Sequence, residues 1–351
     1  MRSIEVVEFG EALQPRVHPT PTPAGTEVLL RIRAAGVCHT DLHIWRGGYD
    51  LGDGRMLSMA ARGVSLPHTL GHENVGEVVA AGPDASGVEP GQVRLVYPWI
   101  GCGQCRACTA DEEHLCSRPQ SLGVFRKGGY ADHLIVPHPR YLFDIGSLDP
   151  LAAAPMACAG LTVYSALKKL GKRIASEPVL VIGAGGLGLM CIAVLRALGG
   201  MGAIVVDRDE AKRASALQAG ALAAIDSADA NAQASIAEAA GARGVSGAVD
   251  FVGAPATVQL ALASLEKGGC VVVVGLYGGK LELPLPPVPL RALAIVGSFT
   301  GSRTELGEFL ALIKDNAAPG IPTVRRSLDE ANATLLDLEA GRLVGRAVLV
   351  P

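Results

Sequence analysis

The segment VLVIGAGGLG at residues 179–188 decides the fold: the apolar run Val179 to Ile182 leads into Gly183, Gly185 and Gly188, and GLMCIAVLRALG follows at 188–199 with helical character. A strand that feeds a glycine-rich turn and then a helix, with the spacing G-x-G-x-x-G, is the signature of a dinucleotide-binding unit. The first glycine permits a tight turn, the second lets a pyrophosphate approach the backbone, and the third lets helix and strand pack closely. Phosphate charge then meets the helix N-terminus, with Gly186 and Leu187 completing the loop. A second strand, AIVVD at 203–207, ends in Asp207, which stands 19 residues beyond Gly188. That is the spacing expected of an acid that accepts from a ribose 2′-hydroxyl. Because its carboxylate would repel a 2′-phosphate, the expected cofactor is NAD, a preference that nearby Arg208 and Arg213 weaken.

Outward from this unit, alternation continues with a helix at EAKRASALQAG (210–220) and strands at AVDFVG (248–253) and CVVVVGL (270–276). Repeated βαβ alternation predicts an α/β protein with a doubly wound parallel sheet and right-handed crossovers. Before it, short β segments at 27–34 and 75–81, punctuated by Gly, Pro and Asp, predict a mostly β domain with irregular loops. The last stretch, 328–351, reads as a helix followed by a short strand that can return to that first domain. Length supports two domains: 351 residues, against about 150 per domain. A formal charge of −3, from 31 basic and 34 acidic residues, implies no basic face for nucleic acid. Glu5, Glu8 and Glu11 occupy the place of a signal's apolar region, so the sequence predicts no secretory signal and a cytoplasmic protein. The uncharged run 178–195 reaches the minimum length of a membrane span, but its glycines at 183, 185, 186 and 188 divide it into strand, turn and helix. No membrane partner is expected.

Eight cysteines are unevenly distributed, and Cys102, Cys105, Cys108 and Cys116 fall within 15 residues. Four thiolates close a tetrahedral zinc shell, which predicts a structural site whose binding energy becomes local folding energy. Free thiols, a redox pair and an iron–sulfur cluster are the alternatives. Cys38, His72 and Cys158 are far apart in sequence, with Glu73 beside His72. Two thiolates and an imidazole suit a catalytic zinc with one open position. Spacing alone, however, fits a surface-turn histidine and small core cysteines equally well.

The ordered set GVCHTDLH (36–43), LGHENVGEVVAAG (70–82), the 102–116 cysteine array, PMACAGLTVY (155–164), VIGAGGLG (181–188) and GRAVLV (345–350) resembles the zinc-dependent medium-chain alcohol dehydrogenases nearly end to end. PWIGCGQC (98–105) and the long segment from Tyr49 to Leu70 are similar to the tetrameric archaeal and bacterial members. The resemblance implies a GroES-like β-rich catalytic domain at 1–157 and 296–351 around a Rossmann NAD-binding domain at 158–295. It also implies two zinc ions per subunit and a homotetramer or dimer. Cys38, His72 and Cys158 would be the catalytic ligands, with Glu73 entering the shell or sitting behind it and Asp41 behind the ligands. Thr40 and His43 match the proton relay, with His43 setting the pH response; His39 and Arg346 match pyrophosphate contacts, and Asp207 and Lys212 the adenosine-ribose pair. Tyr49, Trp99 and Leu276 match an apolar substrate pocket.

The implied activity is zinc-dependent hydride transfer between NAD and primary or secondary alcohols and their aldehydes or ketones. A polyol or sugar dehydrogenase of the same superfamily is the main alternative. A non-catalytic NAD-binding scaffold is disfavoured because Cys38, His72 and Cys158 are all present.

Overall fold

The computed structural model describes residues 1–241, 244–316 and 320–351. The apolar run that opens the dinucleotide motif is a fully buried strand, Val179–Ile182. It lies inside a six-stranded parallel sheet whose order is Ala223–Asp226, Ala203–Asp207, Val179–Ile182, Val245–Asp250, Leu265–Val273 and Ala294–Gly297. The chain runs outward in one direction from Val179–Ile182, then resumes on its other side at Val245–Asp250. The crevice at the carboxyl ends of these two strands is therefore the topological switch point.

Side-chain alternation divides the burial between the two faces of this sheet. Val179, Val181, Val205 and Val249 join the large core that continues into the first half of the chain. Leu180, Ile182, Ile204, Val206 and Ala248 form a second core on the other face. The uncharged run at 178–195 is split as its glycines predict, into Val179–Ile182, a turn and the helix Gly186–Ala197. Among the described residues no single helix is long and apolar enough to cross a membrane.

The first half forms a seven-stranded sheet ordered Leu142–Asp144, Val93–Val96, Glu73–Ala81, Val28–Gly36, Arg346–Val350 and Thr323–Ser327, with His133–Val136 also paired to Val28–Gly36. Its register places the site. Gly36 opposes Glu73 on one side and Val348 on the other, and Val37 N–H donates to Ala347 O at 2.9 Å. The end of one strand, the start of the second and the start of the last are thereby brought together. A three-stranded sheet, Gln14–Val17, Arg2–Val6 and His68–Thr69, braces the segment before His72. The chain leaves the parallel sheet after Gly297 and returns to the first sheet through Thr323–Ser327 and Arg346–Val350.

Candidate active site

Cys38 ends the connection after Val28–Gly36 and caps the helix His39–Trp45. Asp41, three residues on, turns back and accepts from the Cys38 N–H at 2.9 Å, so the candidate ligand Cys38 is held by its own helix start. His72 immediately precedes the strand Glu73–Ala81, and Cys158 precedes the helix Ala159–Leu170. One donor atom from each of Cys38, His72, Glu73 and Cys158 lies within 4.8 Å of the others, all in buried residues. His72 Nδ1 approaches Asp41 Oδ1 at 3.3 Å as an ion-pair contact short of hydrogen-bond geometry, and the buried Nε2 has no hydrogen-bond partner either. A buried imidazole nitrogen left unsatisfied beside two sulfurs is costly unless an ion completes it. The set is soft, compact and suited to zinc.

Electrostatics agree with a shared site. The Cys38 and Cys158 sulfurs are 4.0 Å apart; the hydrogen bond from Cys158 pulls the Cys38 thiol well below its ordinary range and pushes Cys158 up. Burial opposes charge on His72, but neighbouring Asp41 and Cys38 outweigh it and raise its affinity for a proton. Glu73 sits 3.1 Å from Arg346 Nη2, and burial pushes its carboxyl up to about 8 against that pairing. The backbone around these groups has no room for side chains. A Cβ on Gly36 would lie 2.0 Å from Glu73 Oε2, and one on Gly129 would lie 1.7 Å from Asn74 Oδ1.

The four-cysteine lobe also converges, with the Cys105 sulfur 3.5 Å from Cys108 and 3.7 Å from Cys116. Cys102, Cys105, Cys108 and Cys116 all meet within 4.8 Å. Backbone N–H groups of Cys102 and Arg118 each donate to Cys116 sulfur at 3.3 Å. A hydrogen bond from the Gln104 backbone lowers the Cys102 thiol to about 6. Four such donors fit a closed zinc shell.

In the dinucleotide loop each glycine has a separate reason. Gly183 has φ +96°, in the left-handed region; a Cβ on Gly185 would meet nothing within 4 Å; one on Gly188 would meet Gly183 O at 1.9 Å. Open space at Gly185 is what a pyrophosphate needs. Asp207 lies beside it, accepting from Ala184 N–H at 2.8 Å and Asp209 N–H at 2.9 Å. Arg346 is buried between Glu73 and this loop, 3.7 Å from the Cβ position of Gly186.

A family model described as "Alcohol dehydrogenase GroES-like domain" matches residues 24–146, and one described as "Zinc-binding dehydrogenase" matches 186–315. An NAD-dependent alcohol dehydrogenase of Sulfurisphaera tokodaii is 35% identical over 352 residues, covering 100% of both chains. The chain belongs to the zinc-binding alcohol dehydrogenase family. The solved alcohol dehydrogenase of Aeropyrum pernix superposes with a TM-score of 0.90 at 31% identity, covering 100% of each chain. Another relative is a D-arabinose 1-dehydrogenase (NADP(+)) of Saccharolobus solfataricus, 32% identical over 98% of this chain and 96% of that protein.

Within this zinc-binding dehydrogenase the remaining positions singled out from sequence are placed unevenly. Trp99 is buried, donates its indole N–H to Ala157 O at 3.1 Å and holds its ring 5.3 Å from His72. Tyr49 packs 4.6 Å from His43, and burial lowers the His43 imidazole to about 4. Burial thus favours the uncharged imidazole. Thr40 is half-buried and His39 exposed in the same helix start; Lys212 occupies the first turn of the helix Glu210–Gln218. Leu276 is 46% exposed, in the segment that follows the strand Leu265–Val273. Phe299, which sequence reasoning missed, meets Trp99 edge-on at 5.7 Å. Its only local signal is an aromatic in the turn SFTGS after a strand, which is too common to single out.

Proposed function

We propose that this protein is an NAD-dependent zinc alcohol dehydrogenase acting on primary and secondary alcohols and their aldehydes or ketones. The carrying observation is the convergence of Cys38, His72 and Cys158, from three remote parts of the chain, beside an unpartnered His72 Nε2. When bound, zinc supplies a Lewis acid and NAD a hydride acceptor.

The chain's own groups do the rest. Cys38, His72 and Cys158 would hold the catalytic ion, and Cys102, Cys105, Cys108 and Cys116 the structural one. Asp41 fixes the His72 ring by facing its Nδ1. Thr40 receives the substrate hydroxyl proton, and neutral His43, being unprotonated above about 4, accepts it onward toward solvent. Trp99 and Phe299 wall the site with apolar surface and exclude water, with Tyr49 and Leu276 as further pocket residues. Gly185, with no atom within 4 Å of its Cβ position, leaves room for the pyrophosphate, which His39 and Arg346 contact; Asp207 and Lys212 hold the adenosine ribose. We place the enzyme in the cytoplasm as a homotetramer, one contact being the edge strand Ala294–Gly297, whose Ile295 is 42% exposed.

One preparation tests this reading by metal analysis, light scattering and NADH absorbance with hydrophobic alcohols, sorbitol and D-arabinose. The expected result is two zinc per chain, a tetramer and turnover of the hydrophobic alcohols. Turnover confined to sorbitol or arabinose would replace the substrate class. Activity surviving complete zinc removal would overturn the mechanism.

A cofactor prediction follows from Asp207. Replacing Asp207 with Ser removes the carboxylate that a 2′-phosphate would face, and like charges at an interface cost several kcal/mol. The ratio of kcat/KM for NADP over NAD should rise at least about tenfold, since about 1.4 kcal/mol is tenfold. An unchanged ratio would reject Asp207 as the discriminating residue.

A further inference from the structure

Asp41 accepts from more than its own helix. Its Oδ2 takes the Cys38 N–H at 2.9 Å and the Tyr130 phenol at 3.2 Å. Its Oδ1 takes the Gly71 N–H at 3.2 Å and faces His72 Nδ1 at 3.3 Å. The carboxylate is fully buried, so every one of these partners counts: no water replaces a lost donor. Two of the four are backbone groups on, or next to, metal-ligating residues. The phenol is the one donor from a segment that carries no ligand.

That segment is built to hold the phenol still. Gly128 N–H donates to Thr69 O, Gly129 N–H to Gly71 O and Tyr130 N–H to Leu70 O, at 2.8, 2.8 and 2.9 Å, while Ile4 N–H donates to Tyr130 O at 2.8 Å. The ring packs against the turn before His72. At Gly71, φ is +96° and a Cβ would come within 2.5 Å of Tyr130 Cδ1. Glycine before the histidine is therefore required by the tyrosine ring as much as by the turn. Burial and the adjacent Asp41 push the phenol's own ionisation well above its ordinary range, so it remains a donor.

We infer that Tyr130 is a positioning residue for the catalytic metal: its hydroxyl fixes the Asp41 carboxylate that orients His72, and so sets how tightly and in what geometry the three-ligand site holds zinc. The inference rests on the proposed catalytic zinc. Partners behind a metal-ligating histidine fix its ring and tune its basicity, and their loss costs roughly 10–100-fold in metal affinity or activity. Tyr130 acts one bond further out, so the lower end applies.

Tyr130→Phe keeps the ring and removes only the hydroxyl. Zinc release to a coloured chelator and the visible spectrum of the cobalt(II)-substituted protein are measured for wild type, Tyr130→Phe, Asp41→Asn and the double variant. In Tyr130→Phe the zinc of the three-ligand site should leave about tenfold faster and the cobalt bands should shift, while the four-cysteine zinc leaves at the wild-type rate as an internal control. In the Asp41→Asn background the extra effect of Tyr130→Phe should vanish, because the two act in series. A fully additive double variant, or release and cobalt spectra equal to wild type, overturns the positioning role. A wild type that holds a single metal, in the four-cysteine lobe, overturns the catalytic-zinc reading itself and the inference with it.

Discussion

Replacing His72 with alanine should cut turnover by about a thousandfold or more while leaving NADH binding intact. A Lewis-acid metal supplies several kcal/mol of stabilisation, and each 1.36 kcal/mol is about tenfold in rate. Removing His72 takes away the sole nitrogen of a compact set whose other members are two sulfurs and a carboxylate. It also leaves Asp41 facing a void where Nδ1 stood at 3.3 Å. The dinucleotide loop, by contrast, is shaped by Gly183, Gly188 and Asp207, none of which touches His72. NADH fluorescence titration should therefore give an unchanged Kd, and metal analysis should fall by one zinc per chain. Cys38→Ser should behave alike. Wild-type turnover in either variant would end the proposed mechanism; lost NADH binding would show that the fold, and not the chemistry, had been damaged.

The second large effect is on stability. Cys105→Ser should lower the thermal midpoint by about 7 °C, from a loss of ~5 kcal/mol at roughly 1.4 °C per kcal/mol for a chain of this size. Structural zinc contributes apparent energies of about 10–16 kcal/mol in small isolated domains, and here part of the lobe's attachment does not depend on metal. Glu113 is buried and accepts from Gly101 N–H at 3.1 Å and Tyr141 hydroxyl at 2.8 Å. Asp111 pairs with Arg303 at 2.7 Å, tying the lobe to the helix Arg303–Asn316. The helix inside the lobe, Arg106–Thr109, buries no residue at all, so nothing apolar replaces the ion. Differential scanning fluorimetry reads the midpoint, and limited proteolysis should cut between 103 and 118. A midpoint within about 2 °C of wild type would mean that the four cysteines do not carry the lobe.

These contrasts mark how far the amino-acid sequence could be read. The dinucleotide loop was legible because its constraints are local: the tight turn at Gly183, the gap at Gly185 and the contact at Gly188 all arise within six residues. The cysteine lobe was legible for the same reason. Cys38, His72 and Cys158 lie tens of residues apart; sheet register, Gly36 opposite Glu73, joins the segments of the first two, and Cys158 arrives from outside the sheet, at the end of the turn Ala154–Ala157 that packs on Glu73–Ala81. No periodicity encodes that pairing; the family resemblance supplied it. Phe299 and Tyr130 were not visible because an aromatic in a turn or after two glycines has no distinguishing pattern until its neighbours are known. The proton affinity of His43 was not legible for a similar reason. Burial beneath Tyr49, which sets its affinity for protons, is a tertiary property.

The side-chain-free wall formed by Gly36, Gly71 and Gly129 divides the molecule into rigid and adaptable parts. At those three positions any larger residue collides with Glu73, Tyr130 or Asn74 at 2.5 Å or less, so a mutational library sampling them yields mostly inactive clones. Phe299, by contrast, is half exposed and meets Trp99 edge-on, while Trp99 itself is buried against His72. Attempts to evolve a new alcohol preference belong at Phe299, where volume can change while the Trp99 ring stays packed on His72.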